Sequence, residues 1–158
     1  MARHSRPDVS YAVGTVARRV TKWRKRDDRR LERIFADLRK TADWGLFSFF
    51  FFGDQLVLRA FVDPDFAGCR DSRRSTSSYC IYVKGAGGSS GLLDWHVGLQ
   101  KAISLSTCEA EHRAQVEWGR AVYSLMPLLE ILDSEVAWQE EAELHGDNEA
   151  AERVTIKG

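Results

Sequence analysis

Apolar residues recur at helical spacing in three stretches of the chain, with a denser, strand-like region between the second and third. Over 28–40, Leu31, Ile34, Phe35 and Leu38 return every three or four positions, and Arg29, Arg30, Arg33 and Arg39 fill the opposite side. That spacing predicts a helix with one buried face. Val9, Ala12, Val13 and Val16 predict a second helix over 9–20. The third starts at Thr107, a candidate cap, and carries Ala110, Ala114, Val116, Ala121, Leu125, Leu128 and Leu129 to about residue 132. Pro127 is expected to kink or split it, because proline removes a helical hydrogen bond.

Between these helices the pattern changes. In "GLFSFFFFGDQLVLRAFVD" two apolar runs flank Gly53-Asp54, which predicts a hairpin. "SYCIYVKG" at 78–85 predicts a strand rich in β-branched and aromatic residues. "LLDWH" and "KAISLS" predict two more. The glycine-rich "GAGGSSG" at 85–91 predicts a flexible hairpin loop, since it lacks the spacing and the Lys-Ser/Thr of a phosphate loop. A short strand around "AELHG" and a helix beginning at "DNEAAERV" complete an α/β sheet fold.

Charge refines this outline. The chain carries 23 basic and 23 acidic residues. They are unevenly spread: the first forty residues are rich in Arg and Lys, and the stretch from Glu109 onward is acidic. The run "RRVTKWRKRDDRR" reads either as a solvated loop and helix end or as a phosphate-contact surface. Three cysteines, Cys69, Cys80 and Cys108, form no C-x-x-C pair and no disulfide framework, which points to a reducing compartment. The start has no apolar core of a secretory signal, and "LFSFFFF" at 46–52 is too short to span a bilayer.

Three carboxylates stand out by placement. Asp63 ends a predicted strand, Glu111 lies near the start of the helix after the strands, and Asp147 ends the late strand. Converging carboxylates repel one another and lose hydration, and a divalent cation resolves that cost. Mg²⁺ prefers oxygen ligands, and two such ions roughly 4 Å apart serve phosphodiester hydrolysis. Cys108 and His112 share a helical face, but no second ligand pair with matching spacing accompanies them, so they read as structural.

Six motifs then resemble one family in order. "RPDVSYAV" at 6–13 is similar to Arg-Pro-Asp-Ile-x-Tyr-Ala-Val, and "LRKTADWGL" at 38–46 to Tyr-Leu-Lys-x-Thr-x-x-x-Gly-Leu. "VDPDFAGCRDSRRSTSSYC" at 62–80 resembles Ser-Asp-Ala-Asp-Trp-Ala-Gly followed by Asp-x-Arg-Arg-Ser-Thr-Ser-Gly-Tyr. "LDWHVGLQ" at 93–100 keeps the Trp and Gln spacing of Ile-Ser-Trp-x-Ser-Lys-Lys-Gln. "LSTCEAEHRA" at 105–114 and "DNEAA" at 147–151 resemble Leu-Ser-Ser-Thr-Glu-Ala-Glu-Tyr-x-Ala and Asp-Asn-x-Ser-Ala. This is the pattern of copia-type retrotransposon polyproteins, at the end of the reverse transcriptase and the following RNase H domain.

The resemblance implies an RNase H-like mixed five-stranded sheet with flanking helices over 47–158, preceded by a helical connection over 1–46 from the reverse transcriptase end. It implies metal-dependent hydrolysis of the RNA strand of an RNA–DNA hybrid. Asp63, Glu111 (rather than Glu109) and Asp147 would hold two Mg²⁺ ions, with Mn²⁺ as a substitute. Arg24, Lys25, Arg26, Arg29 and Arg30 would contact nucleic acid. The implied partners are the hybrid and the rest of the polyprotein, with no membrane, in an intracellular setting, cytoplasmic or within virus-like particles.

The sequence departs from the family at Phe66, Ser78, Thr107-Cys108 and His112. The family continues past the Asp-Asn helix to a final acidic residue, whereas this sequence stops at Gly158. The expectation is therefore a C-terminally incomplete domain with weak or no cleavage. The alternative is a non-catalytic nucleic-acid-binding remnant. An integrase-type enzyme is disfavoured by the order Asp, Glu, Asp, since those sites place a glutamate last.

Overall fold

The computed structural model describes residues 5–69, 72–133 and 143–145. The chain divides into two compact units, Met1–Leu46 and Phe47–Gly158.

The first unit is helical. A short 3-10 turn, Pro7–Val9, leads into α1 (Ser10–Ala17), and a second, Val20–Lys22, precedes α2 (Lys25–Lys40). Val9, Val16 and Ile34 are its buried apolar residues. Phe35, expected on the apolar face of α2, is exposed, because α1 is only eight residues long and covers a narrow strip. Helix α2 begins at Lys25 rather than near residue 28. Asp27 explains the earlier start: in the first turn its carboxylate accepts the Arg24 backbone N–H at 3.0 Å, which satisfies one of the orphan donors of a helix N-terminus. Asp27 and Asp28 at this end, with Arg39 and Lys40 in the last turn, also complement the helix dipole.

Asp27 is fully buried. Its Oδ1 accepts hydrogen bonds from Arg19 Nε at 2.8 Å and Arg30 Nη1 at 3.3 Å. Burial pushes its carboxyl upward, but the bonds from Arg19 and the Arg24 amide, and the charge of Arg30, hold it below the usual carboxylate range. At the far end of α2, Arg6 donates to the Thr41 hydroxyl at 2.6 Å and the Thr41 carbonyl at 3.2 Å. The unit is thus fastened at both ends of α2 by arginines.

The second unit contains strands β1 (Leu56–Val62), β2 (Thr76–Gly85), β3 (Ser90–Leu99) and β4 (Glu143–His145), with α3 (Thr107–Asp133) between β3 and β4. The sheet order is β3-β2-β1-β4. β1 and β2 pair antiparallel, as do β2 and β3, while β1 and β4 run parallel. Alternation along the strands puts Leu56, Leu58, Ala60, Ile81 and Val83 on one face, and Trp118, Ala121, Val122 and Leu125 of α3 pack against it. Pro127 lies inside α3, which continues through it to Asp133 rather than splitting.

The sheet has four strands among the described residues, where the resemblance implies five and the apolar runs predict six. Two predicted strands do not form. The run at 46–52 makes only an isolated bridge, Phe49 to Ser90, and Phe47, Phe49, Phe50, Phe51 and Phe52 stay exposed. The Asp54 carboxylate instead accepts the Gly87 and Ser89 amides at 2.8 and 3.0 Å, and Phe51 N–H donates to Ser89 Oγ at 2.9 Å. These bonds turn the segment toward the β2–β3 loop and fix that loop, although its composition alone predicts flexibility. The predicted strand over 101–106 is an irregular approach to α3, because its polar groups prepare the helix start. Ser106 Oγ accepts the Glu109 amide at 3.1 Å, and Glu109 Oε2 accepts the Leu105 amide at 2.7 Å. The cap is therefore Ser106, not Thr107. The helix expected at "DNEAAERV" lies outside the described residues. No helix among the described residues is long and apolar enough to cross a membrane.

Candidate carboxylate site

Asp63 follows β1 directly. Its amide donates to the Ser78 carbonyl at 3.1 Å, and the Ser78 hydroxyl donates back to the Asp63 carbonyl. The backbone is gripped on both sides while the residue stands exposed. Beyond Pro64, Asp65 and Thr76 exchange backbone hydrogen bonds at 2.8 and 3.0 Å. The polar loop after the strand is thus a continuation of the hairpin, and it keeps the Asp63 turn from fraying. Ala67 N–H adds a bond to Ser75 Oγ at 3.1 Å.

Glu111 and Glu109 lie two positions apart on α3 and meet opposite surroundings. Glu111 is 4 % exposed. Glu109 accepts Arg113 Nη2 at 2.8 Å as well as the Leu105 amide. The Leu105 amide and the Arg113 bond draw the Glu109 carboxyl below the usual range. Glu109 is a capping residue, and Glu111 turns inward.

A buried polar cluster meets the backbone of α3 at Ala110, the residue before Glu111. Gln100 Nε2 donates to Ser77 Oγ at 3.0 Å and to the Ala110 carbonyl at 2.9 Å, and its Oε1 accepts Ser104 Oγ at 2.7 Å. Its backbone amide donates to the Ser75 carbonyl at 2.8 Å. A carbonyl can only accept, so the Ala110 contact fixes which end of the carboxamide faces α3. Sequence reasoning uses Gln100 only as a motif position and does not find this role. The Ser106–Glu109 cap is missed too, although its Ser-x-x-Glu spacing is there to be read.

Asp147 lies outside the described residues. Among the described residues no group of three His, Cys, Asp or Glu side chains is assembled that could hold a metal ion. Asp63 and Glu111 do supply the hard oxygen donors that Mg²⁺ takes. Of the basic residues, Arg24, Lys25, Arg26 and Arg29 are exposed in the first unit, on or next to α2. Arg30 is partly committed to Asp27.

The chain is 34% identical over 128 residues to a retrovirus-related Pol polyprotein from transposon TNT 1-94 of Nicotiana tabacum, covering 81% of this chain and 9% of that one. It is 32% identical over 110 residues to the corresponding polyprotein from transposon RE1 of Arabidopsis thaliana, covering 70% and 7%. The chain is thus similar to a part of retrotransposon Pol polyproteins. A further similar sequence is the uncharacterized mitochondrial protein AtMg00810 of Arabidopsis thaliana, 31% identical over 129 residues, which are 78% of this chain and 51% of that protein. The chain spans about half of the mitochondrial relative and under a tenth of the transposon polyproteins. No family model matches it, and no solved structure matches it.

Proposed function

We propose that the second unit is a ribonuclease H-type domain of a copia-type retrotransposon polyprotein, and that Asp63, Glu111 and Asp147 form its carboxylate site. The substrate is the RNA strand of an RNA–DNA hybrid. The observation that carries this reading is the parallel pairing of β1 with β4, which sets Phe61 beside His145. Asp63 and Asp147 each follow two positions later in sequence. Parallel strands run toward the same sheet end, and Asp63 stands just past that end of β1. Glu111, buried on the helix whose apolar face packs on β1 and β2, is the third.

Two divalent ions bound there would supply an activated water and charge neutralisation at the scissile phosphate. The chain's own contribution is positional: Ser78 fixes the Asp63 backbone, and α3 holds Glu111 out of bulk water. The exposed cations Arg24, Lys25, Arg26 and Arg29 suit the nucleic-acid backbone, and binding through them would be sequence-independent. They also favour the reading of a binding module without turnover.

The test is cleavage of a labelled RNA–DNA hybrid in Mg²⁺, compared with EDTA and with Asp63→Asn. Metal-dependent cleavage that the substitution abolishes supports the ribonuclease. Hybrid binding without cleavage, in the presence of Mg²⁺ or Mn²⁺, supports the binding module instead.

A further inference from the structure

Asp63 and Glu111 sit on different elements, yet a continuous set of hydrogen bonds and covalent neighbours connects them. It starts at Asp63, whose amide and carbonyl both engage Ser78. Ser78 is the covalent neighbour of Ser77 on β2, and Ser77 Oγ accepts Gln100 Nε2 at 3.0 Å. The same nitrogen donates at 2.9 Å to the carbonyl of Ala110, the residue before Glu111. Every link from Ser77 onward is sealed from water: Ser77 and Ala110 are 0 % exposed, Gln100 is 1 % and Ser104 is 4 %.

We propose that Gln100 is a positioning residue, whose carboxamide fixes the start of α3, and with it Glu111, relative to the strand that holds Asp63. The inference rests on the ribonuclease reading for its functional meaning. The physical argument is specific to this side chain. An amide nitrogen has two hydrogens, and here both are used, one toward the sheet and one toward the helix. The carboxamide cannot rotate without losing both, and it cannot flip because its oxygen would then face the Ala110 carbonyl, which only accepts. Water cannot replace a missing bond at a buried position, so each unmade bond carries the desolvation cost of its group. An apolar side chain of the same length would fill the space but leave the helix free to slide or rotate against β2. A metal site tolerates little of that, because Mg²⁺ demands near-ideal geometry.

The experiment uses the full chain, isotopically labelled, with Mn²⁺ as a paramagnetic probe. In the wild type, Mn²⁺ should broaden the Asp63 and Glu111 amide signals over one concentration range. Gln100→Met keeps the side-chain length and removes the bonds. It should move both amide signals before any metal is added, and should raise the Mn²⁺ needed for half-broadening at least tenfold. Ser77→Ala, a milder cut on the sheet side, should shift Asp63 and Glu111 in the same directions by less, and it serves if Gln100→Met does not fold. Ser104→Ala also removes a buried bond from Gln100 but leaves both links of the strut. It should lower the melting temperature while keeping the Mn²⁺ requirement within twofold. The proposal is overturned if cutting the strut shifts Glu111 but not Asp63, or if Ser104→Ala and Gln100→Met raise the Mn²⁺ requirement equally. If the wild type shows no broadening at Asp63 and Glu111, the metal reading falls. The metal-free shifts alone then decide whether Gln100 couples the two positions.

Discussion

Arg113 donates to Glu109 at 2.8 Å, and this pairing separates the roles of two glutamates only two positions apart. Glu109 is used up by Arg113 and the Leu105 amide, while Glu111 is left on the buried side of α3. In a hybrid-cleavage assay, Glu111→Gln and Asp63→Asn should each lower turnover on the order of a hundredfold or more. Glu109→Gln should leave turnover near wild type and lower only the melting temperature. The pairing also sets a pH dependence. Glu109 is held below the usual carboxylate range, so its contribution to stability is present above the ordinary value and is lost as pH falls through the depressed one. The melting-temperature deficit of Glu109→Gln should therefore shrink toward zero in acid.

Charge reversal at Arg24, Lys25 and Arg26 should weaken hybrid binding steeply at low salt and much less at high salt. For each phosphate no longer neutralised, the slope of log K against log salt should fall by about one unit or slightly less. Fluorescence anisotropy over a salt series reads this directly. Arg30→Glu should act differently, because Arg30 also meets Asp27. It should reduce the helicity of the first unit as well as binding.

Asp27 gives the first unit an acid-labile fastening. Its carboxyl is held down by Arg19 and the Arg24 amide against the cost of burial. Stability from this group is complete above the ordinary carboxylate value and disappears as pH drops through the folded one. Protection factors of the α2 amides, which correct for the slower intrinsic exchange in acid, should therefore fall on acidification. Asp27→Leu should remove that pH dependence and destabilise the unit at neutral pH, because Arg19, 12 % exposed, is left facing an apolar side chain.

Ile81 lies in the centre of the sheet core that α3 covers, and it is closed to water at 0 % exposure. Ile81→Ala should cost about 2–5 kcal/mol in urea unfolding, the usual range for a large-to-small change in a core.

Asp54 predicts the behaviour of the glycine-rich loop. A Cβ added at Gly85 would collide with the Asp54 carboxylate. Gly85→Ala must then displace that carboxylate from the loop amides. Both Gly85→Ala and Asp54→Ala should speed hydrogen exchange at Gly87 and Ser89, measured by NMR. In the wild type those two amides should stay protected as pH falls until the Asp54 carboxyl, depressed chiefly by the Gly87 amide and then by Ser89, takes up a proton.

The sequence by itself determined what depends on local pattern. The helical stripes of 28–40 and 107–132 formed helices, and the β-branched run at 78–85 became most of β2, because both periods are set by backbone geometry alone. Tertiary structure decided the rest. The phenylalanine run at 46–52 has the composition of a strand but finds a single bridge at Ser90, because Asp54 binds the β2–β3 loop. Strand formation needs a partner edge, which no local pattern supplies. The same holds for Gln100, whose bonds reach Ser77 across 23 positions and Ala110 across 10. Its polar side chain looks like a surface residue until folding closes β2 and α3 around it. Glu109 and Glu111 were distinguishable as motif positions, but only the rotation of α3 against the sheet turned one toward Arg113 and buried the other.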